Sequence, residues 1–423
     1  MKNNRRYDLS SRLTHFFRHV DLLDDTAPCT PECWGYSNLV EDTDLSPLFL
    51  LRCAIRYGRL WATWAYRNKA RTIYGPNPAI CLTDMPTGAF LETSFVRQKR
   101  KQKISGYALT FQKPEMFRIG ARPVIYGLSK SSSKIPSGKN GGLRILPKDL
   151  LPIHEQYRYV TYAPTTGRWN IDWTHEREWR WPMKDKASLQ EFNRKIKEEY
   201  VVSSAREIPG LDLYSEKLSR IGVIVATKEE ALRVFHDILV LVDRGDASSH
   251  AFEYVLASND IPDPKKIRDP DEEADALADA AIDLSTYLAE TPSADAELVQ
   301  QVDDCIFNVN ANSPVPKSGE RGGCWLWILD NLHDVTRALL RSDRLVINQE
   351  GKYLLRLPEF DMRRSLRQRE DMAEDLAKRL GDKFNLESGY YSVLNSTDPN
   401  AYPYYNGDFS HNLSFYNNYF DGL

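Results

Sequence analysis

The shortness of its apolar runs constrains this chain more than any other feature. Stretches such as residues 48–51 and 221–226 are far below the roughly 20 apolar residues needed to cross a bilayer. Apolar surface delivered in pieces this small has to be buried by packing many short strands and helices together, which for residues 1–245 reads as a mixed α/β pattern. Strands are expected at 11–17, 79–82, 104–111, 123–128, 158–162 and 178–181, with a buried strand at 221–226. Helices are expected at 48–57, where Gly58 can cap the C-terminus, and at 188–200. A third runs from Thr227, a good N-cap followed by Glu229 and Glu230, to about Val242. Residues 117–120 read as a short helical end, and 129–142, rich in Ser, Gly and Lys, as a flexible loop.

A length of 423 residues suits two or three domains. The expected division is 8–245, an acidic helical connector over 246–305, and a C-terminal module over 306–423 whose role the sequence does not indicate. In that module 308–323 reads as a linker, 324–340 and 365–380 as helices, and 344–357 as a hairpin centred on Glu350-Gly351, while the Tyr- and Asn-rich tail from Gly389 reads as an irregular wrap. The fold class expected is α+β, with a mixed β core and helices first and a mainly helical C-terminal domain carrying one small hairpin. Six cysteines rule out a disulfide scaffold, and residues 1–23 mix Arg, Asp and His with their apolar residues, unlike a secretory leader. A cytoplasmic protein with no membrane partner is the expectation.

The formal net charge of −3 conceals two opposed blocks. Residues 97–148 carry 13 Lys and Arg against Glu115 alone, whereas 261–305 carry 13 Asp and Glu against Lys265, Lys266 and Arg268. The basic block, led by Arg97, Lys99, Arg100, Lys101 and Lys103, is a phosphate-binding stripe or a solvated face. The acidic block is a solvated helical connector or a cover for that stripe.

Four clusters carry chemistry. Glu176 and Glu178 form Glu-x-Glu before an aromatic run; at a loop-to-strand junction one can enter a cleft while the other faces a substrate. The alternative is a salt-bridge ladder with Arg177 and Arg180 on an exposed strand. His15 ends the first strand among aromatics, as a ribose or carboxamide ligand or as a structural residue. Arg67 and Arg71, four apart, share a face if helical and could clamp a pyrophosphate. Thr83 and Asp84 end a buried strand, at a pocket rim or an Asp turn before Pro86. Cys29 and Cys33 have half of a zinc spacing without a second pair, so no metal is expected. The chain has no P-loop, dinucleotide-binding glycine motif or nucleophile elbow.

In order, Leu13-Thr-His-Phe16, Arg56-Tyr-Gly-Arg-Leu60, Cys81-Leu-Thr-Asp-Met-Pro86, Gly106-Tyr-Ala-Leu-Thr-Phe111, Gly120-Ala-Arg-Pro-Val-Ile-Tyr126 and Thr174-His-Glu-Arg-Glu-Trp-Arg180 resemble the AbiGi-like abortive-infection proteins of bacterial phage defence. These in turn are similar to DarT-type ADP-ribosyltransferases, which modify nucleic acid. The resemblance covers roughly residues 10–245 and implies an ADP-ribosyltransferase-like fold with NAD as substrate and no permanently bound cofactor. It implies Glu178 as the catalytic glutamate, Glu176 as the group that orients or deprotonates the acceptor, and His15, Arg67 or Arg71, Thr83 and Asp84 at the NAD pocket. One departure stands out: a small hydroxyl residue is expected two after the His, and Phe17 occupies that place.

The function so implied is a defence effector that transfers ADP-ribose from NAD to a macromolecule, RNA or DNA before protein, and releases nicotinamide, with a cognate antitoxin or phage trigger as partner. Tyr107 or Tyr126 would stack bases of a single strand held by the basic block. The alternatives are an NAD glycohydrolase, or a non-catalytic sensor or antitoxin-like binding protein on a degenerate transferase fold, which Phe17 favours.

Overall fold

A computed structural model describes residues 9–21, 44–67, 70–100, 104–128, 142–163, 171–197, 207–214, 218–262, 270–288, 292–401 and 405–406. The chain divides into two compact units, one of Met1–Ala231 with Ser248–Asp283, the other of Leu232–Ala247 with Leu284–Phe420. The class is mixed α+β.

The first unit is built on an eight-stranded sheet. Its strands in chain order are β1 (Arg12–Phe16), β2 (Ala79–Thr83), β3 (Ala108–Gln112), β4 (Arg122–Pro123), β5 (Glu178–Pro182), β6 (Ile221–Val225), β7 (Phe252–Ala257) and β8 (Ala281–Asp283). They lie side by side as β8-β7-β6-β3-β1-β2-β5-β4. Only the β6–β7 pair is parallel. Two continuous ladders dominate. β1 pairs β3 from Arg12↔Gln112 to Phe16↔Ala108, and β5 pairs β2 from Glu178↔Thr83 to Pro182↔Ala79. These halves are joined by a single registered residue pair, Thr14↔Thr83.

The helices follow from local sequence. Ser46 caps α1 (Pro47–Arg56), its hydroxyl accepting from the Phe49 amide, and Pro47 fills the first turn, where a missing N–H costs nothing. α2 (Thr87–Lys99) buries Phe90 and Leu91 with Met85, Ala108, Ile224 and Leu256, and so lies over one face of the sheet. α3 (Lys113–Arg118) follows β3, and α4 (Lys186–Lys197) follows β5. α5 (Lys228–Asp243), whose residues belong to the second unit from Leu232 onward, opens on the N-cap expected at Thr227, here a capping box: its hydroxyl accepts from the Glu230 amide while the Glu230 carboxylate accepts from the Thr227 amide. α6 (Pro270–Ala280) ends the helices of this unit.

The second unit has its own sheet, and here the sequence reading needs correction. Residues 322–328 form a strand, β9 (Gly322–Ile328), where a helix over 324–340 is expected. The alternation of Trp325 and Trp327 with Cys324, Leu326 and Ile328 is a strand period, and the helix α9 (Asp334–Arg341) starts only after His333 caps it. β10 (Leu345–Ile347) and β11 (Tyr353–Leu355) are the hairpin expected around Glu350-Gly351. Within the described part of the tail expected to be an irregular wrap, β12 (Ser388–Leu394) pairs with β9 along its whole length, and β13 (Tyr405–Asn406) pairs with β12. The order is β10-β11-β9-β12-β13. α7 (Ser285–Leu288), α8 (Pro292–Asn312) and α10 (Leu366–Phe384) complete the unit, so α8 runs into the expected linker. The C-terminal module is therefore a sheet with helices, not a mainly helical domain. The acidic stretch 246–305 likewise contains β7 and β8, because residues 252–257 are β-prone despite the acidic residues that follow.

A methyl group at Gly322 would run into the Val393 carbonyl oxygen, a backbone atom fixed by the β9–β12 ladder. Gly322→Ala should cost about 1–3 kcal/mol by overpacking, read as a lowered urea midpoint. An unchanged midpoint would contradict this packing.

Candidate functional site

Of the residues that the sequence marks, Thr83, Glu176 and Glu178 come together where the end of β2 meets the head of β5. Antiparallel partners point to the same side of a sheet, so Thr14, Thr83 and Glu178 form one row across β1, β2 and β5, and Cys81 with Arg180 the next. Glu178 is the first residue of its strand. Before it, Thr174–Glu176 make a 3₁₀ turn, fastened by Asp172 Oδ1, which accepts from the Thr174 amide and hydroxyl. Arg177 stands between turn and strand in the left-handed region, at φ 47°. The two glutamates therefore belong to a loop-to-strand junction and take different partners.

Glu178 is engaged from below. Arg180 Nε donates to Oε1 at 2.7 Å and Nη2 to Oε2 at 3.1 Å. The guanidinium is buried, and Nη1 donates to the carbonyls of Tyr157 and Tyr159. Burial alone would lower Arg180, but the adjacent carboxylate outweighs it and raises the group above its ordinary value. The Cys81 thiol lies against the same carboxylate; burial first, then that negative charge, push it far up, so Cys81 remains a thiol rather than a nucleophilic thiolate. The Glu178 amide donates to the Tyr126 hydroxyl at 3.3 Å. The expected alternative, a ladder of Glu178 with arginines on an exposed strand, is half right: the pair exists, but β5 is interior to the sheet.

Glu176 accepts from Arg97 Nη1 at 2.7 Å, which ties the turn to the last turn of α2, and the exposed His175 has Nε2 3.5 Å from the same oxygen. Thr83 does not stand free at a rim: its hydroxyl donates to the Glu176 carbonyl at 2.7 Å and accepts from the Met85 amide. Asp84 lies on the reverse side of the sheet, with Trp179. It accepts from Arg177 Nε at 2.6 Å, Lys113 Nζ at 2.9 Å and Trp179 Nε1 at 3.2 Å. Burial would raise the Asp84 carboxyl, but the bonds from Arg177 and Lys113 overcome it and hold the group below the usual carboxylate range.

His15 Nδ1 lies 2.9 Å from the Cys81 carbonyl, and since a carbonyl only accepts, Nδ1 carries the proton. Burial lowers the pKa of His15, partly offset by this bond, so the ring is neutral and Nε2 keeps a lone pair. Phe17, where a hydroxyl is expected, packs edge-on against it at 5.1 Å.

Arg67 and Arg71 are not on a helical turn. They belong to a tight hairpin in which Arg67 pairs with Ala70 and Tyr66 with Arg71, so they fall in different pairs of the ladder. The Arg71 guanidinium stacks 4.4 Å over Trp64, which packs in the cluster containing Cys81. Lys99 and Arg100 continue the end of α2, where Lys99 lies 4.1 Å over Phe95, a ring that is 59% exposed. Lys101, Lys103, Cys29 and Cys33 lie outside the described residues.

Sequence reasoning named Arg180 only as a rung of a salt-bridge ladder, and it missed Gln156 and Phe95, which have no local signal.

Residues 292–418 match the model of a family described as a protein of unknown function (DUF4427). No curated protein and no solved structure matches the chain.

The folded-state shift of Asp84 fixes the sign of a pH effect. Its carboxyl ionises below the unfolded value of about 3.9, so its stabilisation is complete above that pH and fades as pH falls toward the folded value. Asp84→Asn should melt lower than wild type at pH 7, with the gap closing below about pH 4. Melts at a series of pH values check this, and a pH-independent gap would contradict it.

Proposed function

We propose that the first unit is an ADP-ribosyltransferase that uses NAD as substrate and acts in phage defence on a nucleic-acid acceptor. The observation that carries the reading is the Glu178 carboxylate at the head of β5, in one row with Thr83 and beside the single registered pair that joins β1 to β2. The defence role and the NAD chemistry come from the resemblance of residues 10–245.

In this reaction the bond from the nicotinamide nitrogen to the ribose anomeric carbon breaks, and nicotinamide leaves with the electron pair. The developing oxocarbenium is positive, and a fixed carboxylate beside it lowers the barrier without reorganising. Glu178 supplies that carboxylate. A carboxylate has about four lone-pair sites; Arg180 takes two and Cys81 one, so a site remains for a ribose hydroxyl. The acceptor nucleophile then bonds to the anomeric carbon and loses its proton to Glu176, whose charge is balanced by Arg97. His15, next to Thr14 in β1, faces the opposite side of the sheet from Glu178 and takes no part in this step.

The acceptor strand is assigned to the end of α2. Tyr107 is less suited to stack a base than expected, since its hydroxyl donates to Glu230 at 2.8 Å. Phe95, exposed and flanked by Arg97, Lys99 and Arg100, offers ring and phosphate contacts together.

A second reading, a binding protein without turnover, draws support from Phe17, which presents a ring to His15 where a hydroxyl is expected.

Incubation with labelled NAD and separate pools of RNA, single-stranded DNA and cell protein tests both. Label on nucleic acid with nicotinamide release is expected, and Glu178→Ala should cut the rate by about 10²–10³-fold, as loss of one preorganised electrostatic group does. NAD binding without release would favour the second reading, and neither binding nor release would end both.

The strand site has its own check. Lys99→Ala should reduce the slope of log affinity against log salt by about 1, and Phe95→Ala should weaken binding at every salt concentration by about 1–3 kcal/mol. Salt-insensitive binding would contradict it.

A further inference from the structure

At the candidate site Arg180 is buried and bonded to Glu178 and to two backbone carbonyls. Its side chain is 4% exposed. Two nitrogens grip the two oxygens of Glu178, and the third reaches the Tyr157 and Tyr159 carbonyls at 2.7 and 3.2 Å. The first belongs to the 3₁₀ turn Gln156–Arg158 and the second to the residue that follows it. The turn is itself pinned from within. Gln156 is fully buried, its amide donating to the Leu146 and Leu151 carbonyls and its oxygen accepting from the Leu146 amide. Gly75 leaves room for it, since a Cβ there would stand 2.9 Å from Gln156 Cβ. An unbroken chain of bonds therefore runs from the interior of the 144–158 segment to the carboxylate.

We propose that Arg180 is the positioning residue for Glu178: seated on the Tyr157 and Tyr159 carbonyls, it fixes the plane of the carboxylate that meets the ribose. This rests on the transferase reading. The physical ground is geometric. A glutamate has three rotatable bonds, and one hydrogen bond leaves its carboxylate free to swing. Two parallel N–H···O bonds from a planar fork do not. Lysine keeps the charge but gathers its donors on one nitrogen without a planar fork, so it neutralises Glu178 without orienting it. Arg180 is held away from solvent and acts on the reaction only through Glu178.

The test uses the 423-residue chain, nicotinamide release from NAD in the presence of the RNA and single-stranded DNA pools, and the variants Arg180→Lys, Arg180→Gln and Glu178→Gln with the doubles. Arg180→Lys should lower kcat about 100-fold, the scale of a 1 Å misplacement, and leave KM for NAD within about threefold. Introduced into Glu178→Gln, it should lower the residual rate no further, since a residue acting through another has nothing left to act on. Melting temperatures are recorded for every variant. If Arg180→Lys does not fold, Arg180→Gln, neutral and one donor wide, takes its place with the same expectations. Wild-type rates in an active protein, or losses that follow the melting temperature and multiply in the Glu178→Gln background, would overturn the proposal alone. Absence of nicotinamide release from wild type would overturn the transferase reading and this proposal together.

Discussion

A guanidinium can be taken out of water only if its charge is matched and its donors are met, and Arg180 meets that condition in one way. Leaving a buried charge without its partner is strongly destabilising, commonly by about 3–5 kcal/mol. The Glu178 carboxylate and two backbone carbonyls remove that penalty together. The β5–β2 register must then bring Arg180 opposite Cys81 and Glu178 opposite Thr83, and Tyr157 and Tyr159 must present their carbonyls toward β5. A slip of one residue would send both charged side chains through the sheet to the side of Trp179. The position of the candidate catalytic carboxylate is thus a by-product of keeping an arginine buried.

The reverse side of the same strands repeats the solution with other residues. Asp84, at the end of β2, gathers Arg177, Lys113 and Trp179 from three elements. Arg177 and Arg180 serve opposite faces: Arg177 ends the turn before the strand, and Arg180 shares the side of Glu178 by the two-residue alternation of the pleat. The second unit uses the same chemistry on its own. Arg337 grips Asp243 at 2.5 and 3.0 Å, and the Tyr353 hydroxyl donates to that carboxylate at 2.6 Å. Burial and the Asp243 charge push Tyr353 well above its usual range, so it remains a donor.

The parts legible in the sequence were those decided locally. The Thr227 N-cap, the Glu350-Gly351 hairpin and the strands at 11–17, 79–82, 178–181 and 221–226 follow from side-chain chemistry within a few residues. What misled was average composition. The acidity of 246–305 hid strands β7 and β8, and the Tyr and Asn content of the tail hid β12, whose existence depends on β9 supplying its backbone partners. The arginine pair at 67 and 71 was spaced for a helix and folded as a hairpin, since i, i+4 spacing says nothing until the backbone is known.

The basic block is best understood through this distinction between local and tertiary pairing. A count of +12 over residues 97–148 suggests one uniform stripe, but the described cations are already divided among tasks. Arg97 balances Glu176, Lys113 balances Asp84, Arg144 stacks on Tyr74 and donates to the Arg71 carbonyl, and Arg122 covers the ring of Phe117. Phosphate affinity scales with the cations that can release counterions, and a cation in an ion pair contributes less than its formal charge. The surface available to a nucleic acid is therefore narrower than the sequence count implies, and it centres on the end of α2, where Lys99 lies over an exposed ring beside the turn that carries Glu176. Proximity of that short surface to the carboxylates, more than the sum of positive charge, is the argument that ties the acceptor strand to the reaction.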